Sequence, residues 1–281
     1  MQALLVTAYK NEEQLIKLLS SAYGKFRIYV HIDNKSNIDP QSIQTVLPGT
    51  KIIKLYEVNW GSLNHLKAIM ELLKIAIEDH NEYYHIISGQ DIIVRKLDDF
   101  DFFKDNEKIY MSFIGEDVFN DVIWKRLHYW IISSNSVMRN PYDGKVNRAI
   151  NRIQDIFRLY RTSIGNFRKV YKGVVWCSFP FDAAEYVLNY YKENKGLKEF
   201  DHIHIPEEFF FQTVLGNSRF LNRIVPDNMR YTDWSSRNGS CPAILDETDY
   251  NSIVESGKFF ARKIDYAVSK DLIIKISEHT H

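Results

Sequence analysis

Short apolar runs alternate with stretches whose apolar positions recur every three or four residues through the first third of the chain. That is the pattern of βαβ units laid on a mainly parallel sheet. Residues 3–7 predict a first strand. Asn11 is a good N-cap, and Glu12 and Glu13 stand at the positive end of the following helix, whose apolar stripe is Leu15, Leu18 and Leu19. Residues 27–32 predict a second strand that runs into Asp33-Asn34-Lys35-Ser36, and residues 51–55 a third. Trp60-Gly61-Ser62 then precedes a long helix over about 63–78, with Ser62 as its cap. Residues 83–87 read as a buried central strand that ends in the polar turn Ser88-Gly89-Gln90-Asp91.

In open α/β sheets ligands bind at the carboxyl ends of strands, and Asp33, Trp60 and Asp91 all lie just past such ends. One shared cleft follows, although each residue taken singly is also an ordinary turn or cap. Further on, a helix is expected from Asp182 to about Asn194, another opened by Pro206, and a third capped by Asp246 and closed by Gly257. Phe259-Phe260-Ala261-Arg262-Lys263 leads into the tail. No internal repeat, low-complexity tract or linker divides the chain. Residues 1–281 are expected to form one domain, with a nucleotide-binding half (1–100) and an acceptor-binding and catalytic half (101–281).

Residues 139–172 differ in composition. Arg139, Lys145, Arg148, Arg152, Arg158, Arg161, Arg168, Lys169 and Lys172 face only Asp143 and Asp155, while Val146, Ile150, Ile153 and Phe157 recur at helical spacing. Two readings stand for this basic amphipathic helix. It either packs on the core and solvates its cationic face, or attaches peripherally to anionic lipid or to a lipid-linked acceptor.

The chain has 281 residues, and 45% hydrophobic with 14% aromatic side chains supply a core able to fold alone. Its 36 basic and 36 acidic residues cancel, so no global field draws it to nucleic acid. Cys177 and Cys241 lack zinc-site spacing and read as reduced thiols. The N-terminus lacks the basic and long apolar regions of a signal peptide, and no stretch approaches the roughly 20 apolar residues of a membrane span. The expectation is a soluble cytoplasmic protein, at most peripheral to the inner face of the membrane.

No Gly-x-Gly-x-x-Gly, P-loop, Gly-x-Ser-x-Gly or His-Glu-x-x-His is present, which weakens dinucleotide, ATP, hydrolase and zincin readings. His202-Ile203-His204 is a close histidine pair, read as loop or acceptor-side residues because no third ligand is near in sequence. Pro206-Glu207-Glu208 stands beside Phe209-Phe210-Phe211. A carboxylate at a helix start against aromatic surface suits a general base, because partial desolvation raises its pKa towards working pH. Glu207 reads as simple helix-start charge. For Glu208 the residues alone leave both roles open.

Several blocks together resemble the core-2/I-branching β-1,6-N-acetylglucosaminyltransferase and peptide O-xylosyltransferase family. They are Val6, His31-Ile32-Asp33-Asn34-Lys35-Ser36, Trp60-Gly61-Ser62, Ile87-Ser88-Gly89-Gln90-Asp91, Trp176-Cys177-Ser178, the run from Pro206 to Leu215, Pro242-Ala243-Ile244-Leu245-Asp246 and Phe259 to Lys263, in the family's order over nearly the whole chain. The resemblance implies a GT-A type fold, a mainly parallel Rossmann-like sheet flanked by helices. It also implies inverting, single-displacement transfer from a UDP-sugar to a glycan or lipid-linked glycan hydroxyl. Glu208 matches the family's base. Arg262 and Lys263 match residues that contact the diphosphate in place of a metal.

The turn Gly89-Gln90-Asp91 carries an amide where a metal-binding Asp-x-Asp would need a carboxylate, so no metal and no cofactor are expected. Asp99-Phe100-Asp101 spells that motif but lies where a helix or loop starts, not at a strand end. For the donor, the resemblance matches Val6 and Asp33 to uracil and ribose contacts and Val58, Asn59 and Trp60 to a pocket wall. Asp91 joins the donor set from its place at a strand end. Trp176 falls near the transferred sugar, and Cys241 makes a backbone contact near phosphate. Trp234 matches an acceptor-side aromatic, with Arg126 and His128 also assigned to acceptor.

Two cysteines and no anchor depart from many eukaryotic members and fit a bacterial enzyme of surface polysaccharide synthesis. N-acetylglucosamine is the expected sugar and xylose the alternative. Competing readings are a non-catalytic nucleotide-sugar or glycan-binding protein on the same fold, and a metal-dependent transferase of another family.

Overall fold

From the N-terminus, β1 (Gln2–Ala8) leads through α1 (Glu12–Ala22) to β2 (Phe26–Ile32), then α2 (Pro40–Val46), β3 (Lys51–Ile53), α3 (Leu63–Glu78) and β4 (Tyr83–Ser88). After a two-residue turn come β5 (Asp91–Ile93), β6 (Ile109–Tyr110), β7 (Ile114–Gly115), α4 (Asp121–His128) and α5 (Lys145–Phe157). β8 (Tyr171–Lys172), β9 (Ser178–Pro180), α6 (Phe181–Glu193), α7 (Glu207–Gly216), β10 (Ile224–Val225) and β11 (Arg230–Thr232) follow. The chain continues through α8 (Tyr250–Glu255), β12 (Phe260–Arg262) and α9 (Tyr266–Thr280). This computed structural model describes residues 1–130, 145–193, 200 and 202–280, and for 145–147 the backbone alone.

The central sheet has seven strands among the described residues, in the order β10-β6-β9-β4-β1-β2-β3. β9 is antiparallel to both neighbours, and the other pairings are parallel. This is the mixed α/β architecture expected, a mainly parallel sheet with helices on both faces. The alternation along β1 shows the two faces. Ala3 and Leu5 enter a core with α3, α6 and α7, whereas Leu4, Val6 and Ala8 enter one with α1 and Phe100, Phe103, Phe259 and Phe260.

α7 is apolar almost all round, and Phe209, Phe210 and Phe211 are fully buried, each burial stabilising by about 1.5–3 kcal/mol. Only its start reaches the surface of the cleft. Beside it, the Thr213 hydroxyl donates to Tyr171 O and accepts from Tyr171 N–H, both at 3.1 Å, which locks β8 along the helix.

A second sheet, β11-β12-β5, starts from the carboxyl end of β4, where the turn Gly89-Gln90 bonds to Thr7 O of β1 and to Ile264 N–H after β12. Arg230 fastens the two sheets. Its guanidinium is buried and donates to the carbonyls of Ile86 (3.0 Å) and Cys177 (3.0 Å) and to Ser178 Oγ (2.7 Å). Burial lowers its pKa to about 10. The same burial pushes the Cys177 thiol up to about 12, and both cysteines are free thiols.

Asn11 caps α1 as expected, its side chain accepting from Gln14 N–H at 3.2 Å. Ser62 occupies the N-cap position of α3 but makes no capping bond, and its buried hydroxyl has no partner among the described residues. β3 stops at Ile53, short of the expected 55, because its partner strand ends at Ile32 and Tyr56 N–H turns to His31 Nε2 at 3.2 Å. The tail is a helix, α9, which buries Leu272 and Ile276 against Leu245, Ile253 and Ile264.

α5 corrects one expectation. Of its two readings, packing of the whole apolar stripe on the core does not hold: Ile153 and Phe157 are exposed, and among the described side chains of α5 the buried one is Gln154. Arg139, Asp143, Asn194 and the side chains of Lys145 and Val146 lie outside the described residues. Among the described residues no helix is long and apolar enough to cross a membrane.

Candidate active site

The start of α7 brings Glu208 to the cleft. Its Oε2 lies 2.8 Å from Lys172 Nζ and 3.3 Å from Arg126 Nη1. Both cations are mostly buried, so these contacts are less screened than surface pairs. Lys172 reaches Glu208 because β8 runs beside α7, and Gly173 N–H donates to Glu208 O at 2.9 Å. A Cβ on Gly173 would lie 1.9 Å from Ser112 O, so only glycine permits this approach. Tyr171, the preceding residue, points the other way and lines a cavity of 790 Å³ with Tyr186, Tyr190 and Asn217, away from Glu208.

Opposite stands Arg262. It pairs with Asp91 across the antiparallel strands β12 and β5, with Nε 3.4 Å from Oδ1. Its guanidinium carbon sits 4.5 Å from the centre of the Trp176 ring. Asp91 is held by Ser88, whose N–H donates to Oδ2 at 2.7 Å and whose hydroxyl donates to the same oxygen. Burial lowers the Arg262 pKa, opposed by the carboxylates of Asp91 and Glu208. Lys263 is half-buried and is also lowered, first by burial and then by the charges of Arg262 and Lys10, with Asp265 opposing. Like charges held close in a partly desolvated cleft suit a site that awaits an anion.

Behind Trp176 lies a polar chain. The His65 ring is tilted at 60° to Trp176 with centres 5.8 Å apart; its Nδ1 meets Glu207 Oε1 at 3.1 Å and its Nε2 meets Thr7 Oγ1 at 3.2 Å. Glu207 is a first-turn acid of α7, as expected, and is also buried against His65.

On the β2 side, Asp33 is buried and accepts from Lys35 N–H at 2.9 Å. Lys35 Nζ reaches Val58 O (3.1 Å) and Asn59 Oδ1 (2.6 Å), which gathers Asp33, Val58 and Asn59. Trp60 is exposed, its ring edge-on to buried His204 at 5.1 Å. Burial drops the His204 pKa to about 3. Val6 is a core residue of β1 and offers no side-chain surface. Cys241 and Trp234 are exposed neighbours, Cys241 Sγ donating to Trp234 O at 3.5 Å, and Ala243 O accepts from Lys263 N–H at 3.4 Å.

Of the two acceptor residues assigned on α4, Arg126 meets Glu208, whereas His128 turns to Arg161 O (2.5 Å) and stacks on Trp124. Asp99 and Asp101 are exposed on a 3-10 turn, Leu97–Phe103, where Asp101 pairs with Lys25 at 2.8 Å. Among the described residues no group of three His, Cys, Asp or Glu side chains could hold a metal ion. Lys172, His65 and Thr7 were not singled out for the site from the sequence. Lys172 stood within a basic stretch, and nothing local marks a strand that will lie beside α7.

This mixed α/β chain thus sets a carboxylate, Glu208, between Lys172 and Arg126 and within electrostatic reach of buried Arg262. Residues 3–254 match the family described as Core-2/I-Branching enzyme, and the chain belongs to that family. It is 21% identical over 293 residues to xylosyltransferase sqv-6 of Caenorhabditis briggsae, covering 94% of this chain and 34% of that protein. It is 20% identical over 294 residues to xylosyltransferase oxt of Drosophila pseudoobscura pseudoobscura, covering 94% and 31%. The chain thus spans about a third of the length of the curated relatives it matches. Mouse xyloside xylosyltransferase 1, apo form, superposes at a TM-score of 0.39 with 10% identity, covering 93% of this chain and 97% of that one.

Proposed function

We propose that the chain is an inverting glycosyltransferase that moves a sugar from a UDP-sugar to a hydroxyl of a glycan acceptor. The observation that carries this reading is Glu208 at the start of α7, with Lys172 and Arg126 on Oε2 and the Arg262–Lys263 pair across the cleft. A protein that only binds its ligand needs no base.

Glu208 takes the proton of the acceptor hydroxyl as that oxygen attacks the anomeric carbon from the face opposite the nucleotide. The anomeric C–O bond to phosphate breaks, and UDP leaves with its new charge met by Arg262 and Lys263. With both cations on Oε2, Oε1 is the oxygen that receives the proton. The leaving group needs no general acid, and this arrangement needs no metal.

The matched relatives are named for xylose, so UDP-xylose stands first among donors and UDP-N-acetylglucosamine second. A screen of UDP-sugars by hydrolysis and by thermal stabilisation identifies which. Glu208→Gln should abolish turnover and leave UDP binding nearly intact; undiminished activity in that variant sinks the assignment. Activity should also survive excess EDTA, and a complete loss restored by manganese would overturn the metal-independent mechanism.

A further inference from the structure

α5 docks on the rest of the protein by its polar side. Gln154 Oε1 accepts from Trp130 N–H at 2.8 Å and its Nε2 donates to Trp130 O at 3.3 Å. Asp155 Oδ1 accepts from the hydroxyls of Tyr129 and of Tyr160, the latter at 2.9 Å. At 3.6 residues per turn, Ile153, Ile156 and Phe157 then share an arc on the side away from these bonds. They are 50%, 66% and 67% exposed, and Leu159 just beyond is 53% exposed.

Ordinary surface helices turn such an arc inward, and here the order is reversed. Arg152 borders the apolar arc, Arg148 stands one turn before it, and Arg158 follows the last turn. All three are exposed, and none is ion-paired with a carboxylate among the described residues. A second copy of the chain would bring these like charges together with no anion to separate them.

We propose that this face of α5 is a membrane-contact surface that lies on a bilayer carrying anionic headgroups. Its isoleucines and Phe157 would enter the acyl boundary while the guanidiniums stay at the phosphates. α5 is tied to the end of α4 through the Tyr129 hydroxyl on Asp155, and the segment after it through Arg161 N–H to His128 O at 2.7 Å; α4 carries Arg126, which holds Glu208. Contact through α5 would therefore set the acceptor side of the cleft beside the membrane. Taken with the transferase reading, on which this last step rests, it makes a lipid-linked glycan the acceptor class.

The test uses the full chain with vesicles of phosphatidylcholine alone and of phosphatidylcholine mixed with phosphatidylglycerol. Co-sedimentation is expected with the mixed vesicles only and should weaken as salt rises. Ile156→Ser with Phe157→Ser should lower partitioning at least about tenfold, and Arg148→Gln with Arg152→Gln and Arg158→Gln should remove the preference for anionic lipid. All these side chains are exposed, so melting temperature and UDP binding should hold, which separates a failure here from a failure of the transferase reading. Equal binding to neutral vesicles, or binding unaltered by the substitutions, overturns the proposal. So does a concentration-dependent dimer in sedimentation velocity that the Ile156 and Phe157 changes abolish.

Discussion

Arg262 and Asp91 stand directly opposite each other in the antiparallel pair of β12 and β5, with Nε 3.4 Å from Oδ1. Strand register, not a loop, thus sets where the guanidinium lies over Trp176. Lysine cannot reproduce a planar group that is stacked and paired at once. Arg262→Lys should lower kcat/KM for the UDP-sugar by about 10²–10³-fold and weaken UDP binding, read by steady-state kinetics and calorimetry. Asp91→Asn leaves Arg262 buried without its counter-charge and should cost about 3–5 kcal/mol in urea unfolding.

Lys172 and Gly173 hold Glu208 from the side of β8. Lys172→Met should reduce kcat by about tenfold to a hundredfold with little change in UDP affinity, because the cation touches the carboxylate and not the nucleotide side. Gly173→Ala forces the strand from Ser112 O and should cut kcat similarly, with a lower melting temperature besides. Unchanged kcat in both variants would separate β8 from the reaction.

Burial, Arg262 and Lys10 all lower the Lys263 pKa. Its charge is therefore lost on the alkaline side at a lower pH than that of an exposed lysine. If Lys263 meets the diphosphate, UDP affinity should fall as pH rises through that lowered value. Lys10→Met removes one repelling cation, and the fall should move to higher pH. Lys263→Ala should bind UDP more weakly and flatten the alkaline limb, both measured by calorimetry across pH.

Burial lowers the pKa of His31 to about 4 and of His204 to about 3. Each is neutral when folded and takes up a proton near pH 6.5 when unfolded. Stability is then fully present above about pH 6.5 and falls as pH drops through the window down to the folded values. The loss should be on the order of a few kcal/mol in all. His204→Gln, which cannot protonate, should show a shallower acid decline in denaturant midpoint.

The strands and helices that frame the cleft were legible because their signals are local. Short apolar runs mark β1, β2 and β4, the Asn11 cap marks α1, and the helical spacing through α3 places its ends near Leu63 and Glu78. Asp33 and Asp91 could be assigned to the ends of β2 and β4 for the same reason, whereas Trp60 stands well past the end of β3 at Ile53. The family match and the role drawn for Glu208 also came from contiguous blocks.

Which side chains meet is a different matter, because it depends on residues far apart in the chain. Lys172 reaches Glu208 through the β8–α7 contact, and His65 joins Glu207 across 142 positions. Helical periodicity drew an apolar stripe on α5 but could not say which side the body of the protein would take. The hydrogen bonds of Gln154 and Asp155 decided that, and turned Ile156 and Phe157 outward. The sequence by itself determined the first strands and helices and their order, since propensity and pattern act over a few residues. Only the tertiary structure decided the partners of each charge, because packing alone brings distant strands and helices within a few ångströms.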